Sequence, residues 1–191
     1  MPEEFPKSET IVDRIPEYLP RLTDGALPTY SYVPRLFPHP IREPDGHSFG
    51  RHEPRVELPN GNLSQCNQYL CGIDLFNHGY YWESHESWEA VWHAFERTTI
   101  NARFVQGLIK IAAAGVKARE GNENGIERHA GRAVALFEQC CGIDDSFTGF
   151  PVRDLIETAT WIQTNSKNLT NTSPAKIEIV MPFVLVPRFG N

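Results

Sequence analysis

Asn77-His-Gly-Tyr-Tyr-Trp-Glu-Ser-His-Glu-Ser-Trp-Glu-Ala-Val-Trp92 is the stretch that decides the reading of this chain. From Tyr80 onward its apolar and polar residues recur at helical rather than strand spacing. The stretch holds His78 and His85, Glu83, Glu86 and Glu89, and Trp82, Trp88 and Trp92. An ordinary amphipathic helix keeps carboxylates in water and aromatics in the core. Here both kinds share a face, which is costly unless the polar groups are paired, hold a metal or take part in chemistry. At about 100° per residue, His85 and Glu89 lie one turn apart and about 40° around the axis. Glu83 with Glu86, and Glu86 with Glu89, are spaced i, i+3. His78 joins the same side as His85 if the helix extends that far back.

Three readings of this strip compete. Imidazole and carboxylate suit Zn, Mn or Fe, and a His/Glu pair one turn apart can grip one ion. His85-Glu-Ser-Trp-Glu89 is not the zincin pattern, because Glu89 stands where a second histidine would be. The second reading is metal-free acid–base work with Glu86 or Glu89 as base and His85 as partner. The third is structural, and is the commonest fate of such groups: satisfied polar residues that fix helix packing.

Outward from the strip the texture stays helical. A first helix is expected over about 64–77, with Ser64 as N-cap, Tyr69, Leu70, Ile73 and Phe76 inward, and Gly79 as the stop. The motif helix follows over about 80–97, and a third, long helix runs from Thr99 or Asn101 to about Glu120. Gly121-Asn-Glu-Asn-Gly125 is read as a turn. A fourth helix is expected over about 125–141, with Ala130, Val134 and Phe137 on its apolar side. A fifth starts with Pro151 in its first turn and reaches about Gln163. In the third helix, Gly107, Ala114 and Ala118 form a small-residue stripe suited to close packing. Gln106 and Lys110 lie on one line of it, where they would hydrogen-bond or neutralise the glutamates if that line meets the motif helix.

Proline divides the chain. Eleven of the 15 prolines lie in residues 1–60 and none between Asn60 and Phe150, so the first sixty residues cannot be a helical domain. Thr29-Tyr-Ser-Tyr-Val-Pro-Arg-Leu-Phe-Pro-His-Pro40 is too aromatic for a free linker, so an arm docked on the core is expected. It carries His39, His47 and His52. Exposed loop histidines are the ordinary reading, but such an arm could bring His39 or His47 to the motif as ligands or as a lid. The tail, Lys176-Ile-Glu-Ile-Val-Met-Pro-Phe-Val-Leu-Val-Pro187, is β-branched, and Pro182 makes it an edge strand. Tyr30–Val33 is its expected partner. The organisation is therefore a docked proline-rich arm over 1–62, a helical core over 63–165, and a linker with an extended tail over 166–191.

Composition narrows the function classes. At 191 residues, 40% hydrophobic and 22% charged, the chain has an ordinary globular balance. A net charge of −6 with no Lys/Arg run argues against nucleic acid as a partner. No apolar run is long enough to span a membrane and no secretory leader is visible, so a cytoplasmic location is expected. Cys66, Cys71, Cys140 and Cys141 do not follow the usual zinc spacings, and reduced thiols are expected. The sequons at Asn62, Asn168 and Asn171 carry little without secretion.

Gly79-Tyr-Tyr-Trp-Glu-Ser-His-Glu-Ser-Trp-Glu-Ala-Val-Trp92, followed by Val105-Gln-Gly-Leu-Ile-Lys-Ile-Ala-Ala-Ala114, resembles the core signature of the domain of unknown function 309 family. Gly121, Asn122, Gly125, Ala133 and Gly149 fit the same spacing, and the resemblance covers roughly residues 66–163. It implies a compact all-α fold of about five helices and no activity. The family's Glu-x-His-Glu-x-x-Glu pattern falls on Glu83, His85, Glu86 and Glu89.

Together these observations predict an all-α bundle with an extended arm and a short strand-like tail. The preferred function is divalent-metal binding, with hydrolysis as the associated chemistry. His85, Glu89 and Glu86 are the candidate ligands. Glu86 doubles as candidate general base and Glu83 supports it. His78, Gln106, Lys110, His39 and His47 are accessory candidates. The only cofactor considered is a divalent metal (Zn, Mn or Fe); a small-molecule partner and a homo-oligomer stay open. The alternative is a non-catalytic scaffold or oligomerisation module whose polar cluster only fixes helix packing.

Overall fold

The computed structural model describes residues 11–12, 19–51, 56–58 and 62–190, and His52 lies outside them. Six helices carry the chain: α1 (Asn67–Asn77), α2 (Tyr81–Ala94), α3 (Ile100–Arg119), α4 (Glu123–Glu138), the single turn α5 (Asp145–Thr148) and α6 (Val152–Thr164). α1 packs on α2, α2 on α3, α3 on α4 and α4 on α6. The fold is thus the expected all-α bundle with a short C-terminal strand, β2 (Val184–Leu185).

The apolar side chains pack where their helical spacing puts them. Tyr69, Ile73 and Phe76 of α1, Trp88 and Val91 of α2, Phe104 and Leu108 of α3, and Phe137 of α4 form one continuous core. The small residues of α3 allow aromatic rings to approach its backbone. A Cβ on Gly107 would strike the Phe137 ring, and one on Gly115 the Tyr81 ring. Between α1 and α2 the chain turns on Gly79, whose φ of +84° places it in the left-handed region.

Local chemistry moves several expected boundaries. Ser64 does not cap α1; it sits inside a 3-10 turn, Leu63–Gln65, where Asn62 Oδ1 accepts from the Ser64 N–H. Cys66 occupies the N-cap of α1 without a side-chain bond. α2 ends at Ala94 because Phe95 is extended, with ψ 152°. α4 starts at Glu123, inside the expected turn, because Asn122 Oδ1 accepts from the Gly125 N–H at 2.8 Å.

The tail strand has a different partner from the expected one. β2 pairs antiparallel with β1 (Ile11–Val12), Ile11 opposite Leu185 and Val12 opposite Val184. Tyr30–Val33 meets the tail at a single backbone bond and forms no ladder with it among the described residues. The Ser31 N–H bonds Lys176 O at 2.8 Å, and the Tyr32 N–H bonds the Glu83 carboxylate at 2.8 Å. β2 is also held from below: Asn77 on α1 donates to Leu185 O at 2.8 Å and accepts from its N–H at 2.7 Å. Farther back in the tail, the Tyr81 hydroxyl accepts from the N–H groups of Val180 and Met181.

Two carboxylates fasten the arm to the bundle. Asp74 on α1 is 2% exposed and accepts from the Leu22 N–H, the Thr23 N–H and the Thr23 hydroxyl. Glu83 on α2 takes the second stretch. Tyr80, just before α2, adds a donation from its hydroxyl to Pro28 O at 2.9 Å.

Candidate metal centre

α2 presents its polar residues in two directions. With His85 as origin, Glu89 lies about 40° around the axis, Glu86 about 100° and Glu83 about 160°. Helical geometry therefore separates Glu83 from the His85–Glu89 pair.

On one side, His85, Glu86 and Glu89 each offer a ligand atom, and these three atoms lie within 4.8 Å of one another. All three residues are half-buried. His85 Nδ1 is 3.3 Å from Glu86 Oε1, with the side chains 25% and 30% exposed. That exposure leaves the cluster open to water and to an ion in exchange with solvent. Gln106 and Lys110 on α3 are also half-buried, but neither bonds the cluster among the described residues. No cation of the described chain therefore neutralises Glu89, which keeps its carboxylate free as a ligand. Trp82, one turn before Glu86, borders this face. The arm covers it: the Tyr32 and His39 rings pack edge-on or tilted against it at 5.2 and 5.5 Å.

On the other side, Glu83 is buried, with Oε1 accepting from the Tyr32 N–H at 2.8 Å and lying 2.9 Å from His47 Nε2. A carboxylate only accepts, so Nε2 carries the shared proton in this arrangement. His47 Nδ1 is 2.9 Å from the Ser48 hydroxyl, and the His47 N–H donates to the Tyr30 hydroxyl. Tyr30 in turn donates to Pro38 O at 2.7 Å. The arm thus delivers His47 to Glu83 and sets His39 against Trp82. Glu83 Oε2 is buried and has no hydrogen-bond partner among the described residues.

The remaining candidates lie elsewhere. His78 caps the end of α1, where its Nδ1 is 2.7 Å from Asp74 O, and the Gly79 turn parts it from the motif helix. Cys66 and Cys140 are buried, Cys71 is half-buried and Cys141 exposed; all four are free thiols. Burial pushes the Cys140 thiol up to about 11, so it stays protonated near neutral pH.

Sequence reasoning passed over two polar residues that the fold uses. Asp74 sits between Ile73 and Leu75 in the most apolar stretch of α1, and a lone acid there was the available signal. Arg119 continues the line of Ala112 and Gly115 on the packed face of α3. It is 2% exposed, and its Nη2 donates to Ser173 O and Ala175 O. His129 on α4 is half-buried. Its Nδ1 lacks a partner, and desolvation, with Lys110, Arg128, Lys117 and Arg132 nearby, lowers its pKa to about 4.

Residues 69–129, from α1 into α4, match the family described as Domain of unknown function (DUF309). The match contains the whole of α2 and α3 and hence every member of the cluster. No curated protein matches the chain. No helix among the described residues is long and apolar enough to cross a membrane.

Proposed function

We propose that the protein binds one divalent metal ion through His85, Glu89 and Glu86, and that the ion serves hydrolytic chemistry. The observation that carries this reading is the convergence of three ligand atoms within 4.8 Å on one half-buried helix face, with no basic residue bonded to Glu89 among the described residues. One nitrogen and two carboxylate oxygens suit Zn, Mn or Fe. Three protein ligands leave coordination positions for water, which a bound ion would acidify. Glu86 also stands close enough to accept a proton from such a water, and this would make it ligand or base according to its rotamer. Glu83 would act indirectly, by holding the arm whose Tyr32 and His39 wall the face at Trp82.

A second reading has its own support. Glu83 and Asp74 serve as clamps for the arm, and His85 already has Glu86 as a neighbour at 3.3 Å. On that view the motif fixes packing and the chain is a scaffold.

Elemental analysis of the purified chain beside His85→Ala/Glu89→Ala separates the two. The metal reading expects about one ion per chain in the wild type, its loss in the variant, and unchanged helicity. Metal-free protein after incubation with Zn, Mn and Fe(II), or equal metal in both forms, would leave the scaffold reading.

A further inference from the structure

A cavity of about 640 Å³ opens between the turn at residues 33–36 and the C-terminal end of α3. It lies within the size range of small-molecule sites. Its lining is divided chemically. Val33 and Leu36 supply apolar surface, while Arg35, Lys117 and Arg119 supply three cationic groups against the single carboxylate of Glu120. Lys117 and Glu120 are paired with each other at 2.6 Å, so among the lining residues the two arginines have no ion-pair partner; outside the lining, Glu178 acts favourably on the Arg119 charge.

Both arginines are held in costly states. Arg119 is 2% exposed, yet its Nε and Nη1 have no hydrogen-bond partner among the described residues; only Nη2 is used, on the two tail carbonyls. Burial lowers its pKa, because desolvation disfavours the guanidinium charge. Unpaired buried donors on a cation cost far more than a satisfied surface arginine. Arg35 is the only non-glycine residue with positive φ among the described residues, at +69°. It follows Pro34 in a turn closed by the Leu36 N–H to Val33 O bond at 3.1 Å. A left-handed residue after proline is the place where such turns take glycine or asparagine. An arginine there costs about 1–2 kcal/mol of backbone strain. The two tail carbonyls and Glu178 offset only part of the Arg119 cost, since Nε and Nη1 stay without a partner among the described residues, and both arginines line the same cavity.

We propose that this cavity binds a small organic oxyanion, a phosphate ester or carboxylate, with its charged end on Arg35 and Arg119 and its apolar body on Val33 and Leu36. The guanidinium fork suits both oxyanion classes, since each offers paired oxygens to two N–H donors. The cavity shares no lining residue with the His85 cluster, and its proposed ligand does not require metal there.

The test is backbone amide NMR titration of the full chain with phenyl phosphate and with benzoate, and with benzyl alcohol as a neutral control. Saturable shifts at residues 33–36 and 117–122 with at least one oxyanion, and none with the alcohol, are expected; the stronger of the two identifies the ligand class. Arg35→Ala, an exposed position, should weaken that binding by about tenfold, the equivalent of one charge-assisted contact. Arg119→Gln tests the buried donor but also removes a tail tether, so its result counts only if the amide spectrum stays that of the folded chain. Absence of saturable shifts with both oxyanions, equal shifts with the alcohol, or wild-type affinity in Arg35→Ala would overturn the proposal.

Discussion

Replacing Glu83 with alanine should free the arm without unfolding the bundle. Glu83 Oε1 receives the Tyr32 N–H at 2.8 Å and lies 2.9 Å from His47 Nε2, both in buried surroundings. Hydrogen bonds to a charged partner are worth about 1.5–3 kcal/mol each, which puts the pair at about 3–6 kcal/mol. Against this stands the buried Oε2, which has no partner and costs about 1–3 kcal/mol. Taken low with low and high with high, the net loss is about 2–3 kcal/mol, or about 30- to 150-fold in the local opening equilibrium. Native-state hydrogen exchange reads it directly. The Tyr32 amide should exchange faster by that factor in Glu83→Ala, while core amides of α3 keep their protection, because the arm can lift while the helices stay packed. Glu83→Gln should lose less, since its carbonyl oxygen can still accept from Tyr32. Unchanged protection at Tyr32, or a uniform loss across α3, would refute the clamp. In the first case the bond carries no weight; in the second Glu83 belongs to the global fold.

Further outcomes follow from the same contacts. Asp74→Ala should speed exchange at Leu22 and Thr23 by about tenfold or more while leaving Tyr32 near its wild-type rate, because the two clamps bind different stretches of arm. Gly72→Ala should destabilise the bundle by about 1–3 kcal/mol in denaturant unfolding, since its Cβ would strike the Trp88 indole, whose Nε1 donates to Tyr69 O. His129 has a folded-state pKa of about 4, below the usual histidine value, so the unfolded chain binds the extra proton. Its contribution is fully present above about pH 6.5 and is lost as pH falls toward about 4. His129→Gln should therefore flatten the melting-temperature profile over that window and leave its acid limb, set by carboxylates, in place.

The helices were legible because each signals locally. Tyr69, Ile73 and Phe76, or Ala130 and Phe137, mark a buried face within a few turns of chain. Proline exclusion marked the arm, and its aromatics marked it as docked. What the sequence could not carry is long-range pairing. The partner of β2 is Ile11–Val12, and no local feature of either two-residue strand points to the other. Competition enters at Tyr32: the Glu83 carboxylate takes its N–H, and Tyr30–Val33 meets the tail only where the Ser31 N–H bonds Lys176 O. The same limit hid Asp74 and Arg119. Each looks like an ordinary charge on a helix until the arm or tail arrives over it with unpaired backbone groups.

That competition also explains how one motif can serve two ends. The first glutamate of Glu-x-His-Glu-x-x-Glu points about 160° away from the histidine, and a helix cannot bring Glu83 to the ion that His85 would hold. The motif therefore works as two devices on one rod. Glu83 and Trp82 fix the arm, while His85, Glu86 and Glu89 stay half-buried, with no basic partner bonded to Glu89 among the described residues. The arm's Tyr32 connects them, since its backbone N–H bonds Glu83 and its ring packs on Trp82 beside the cluster. Loosening the arm at Glu83 should raise solvent access to the face bordered by Trp82, where the proposed ion would sit. Metal dissociation should then quicken in Glu83→Ala although no ligand has been removed. An unchanged dissociation rate measured with a competing chelator would show that the two devices share a helix and nothing more.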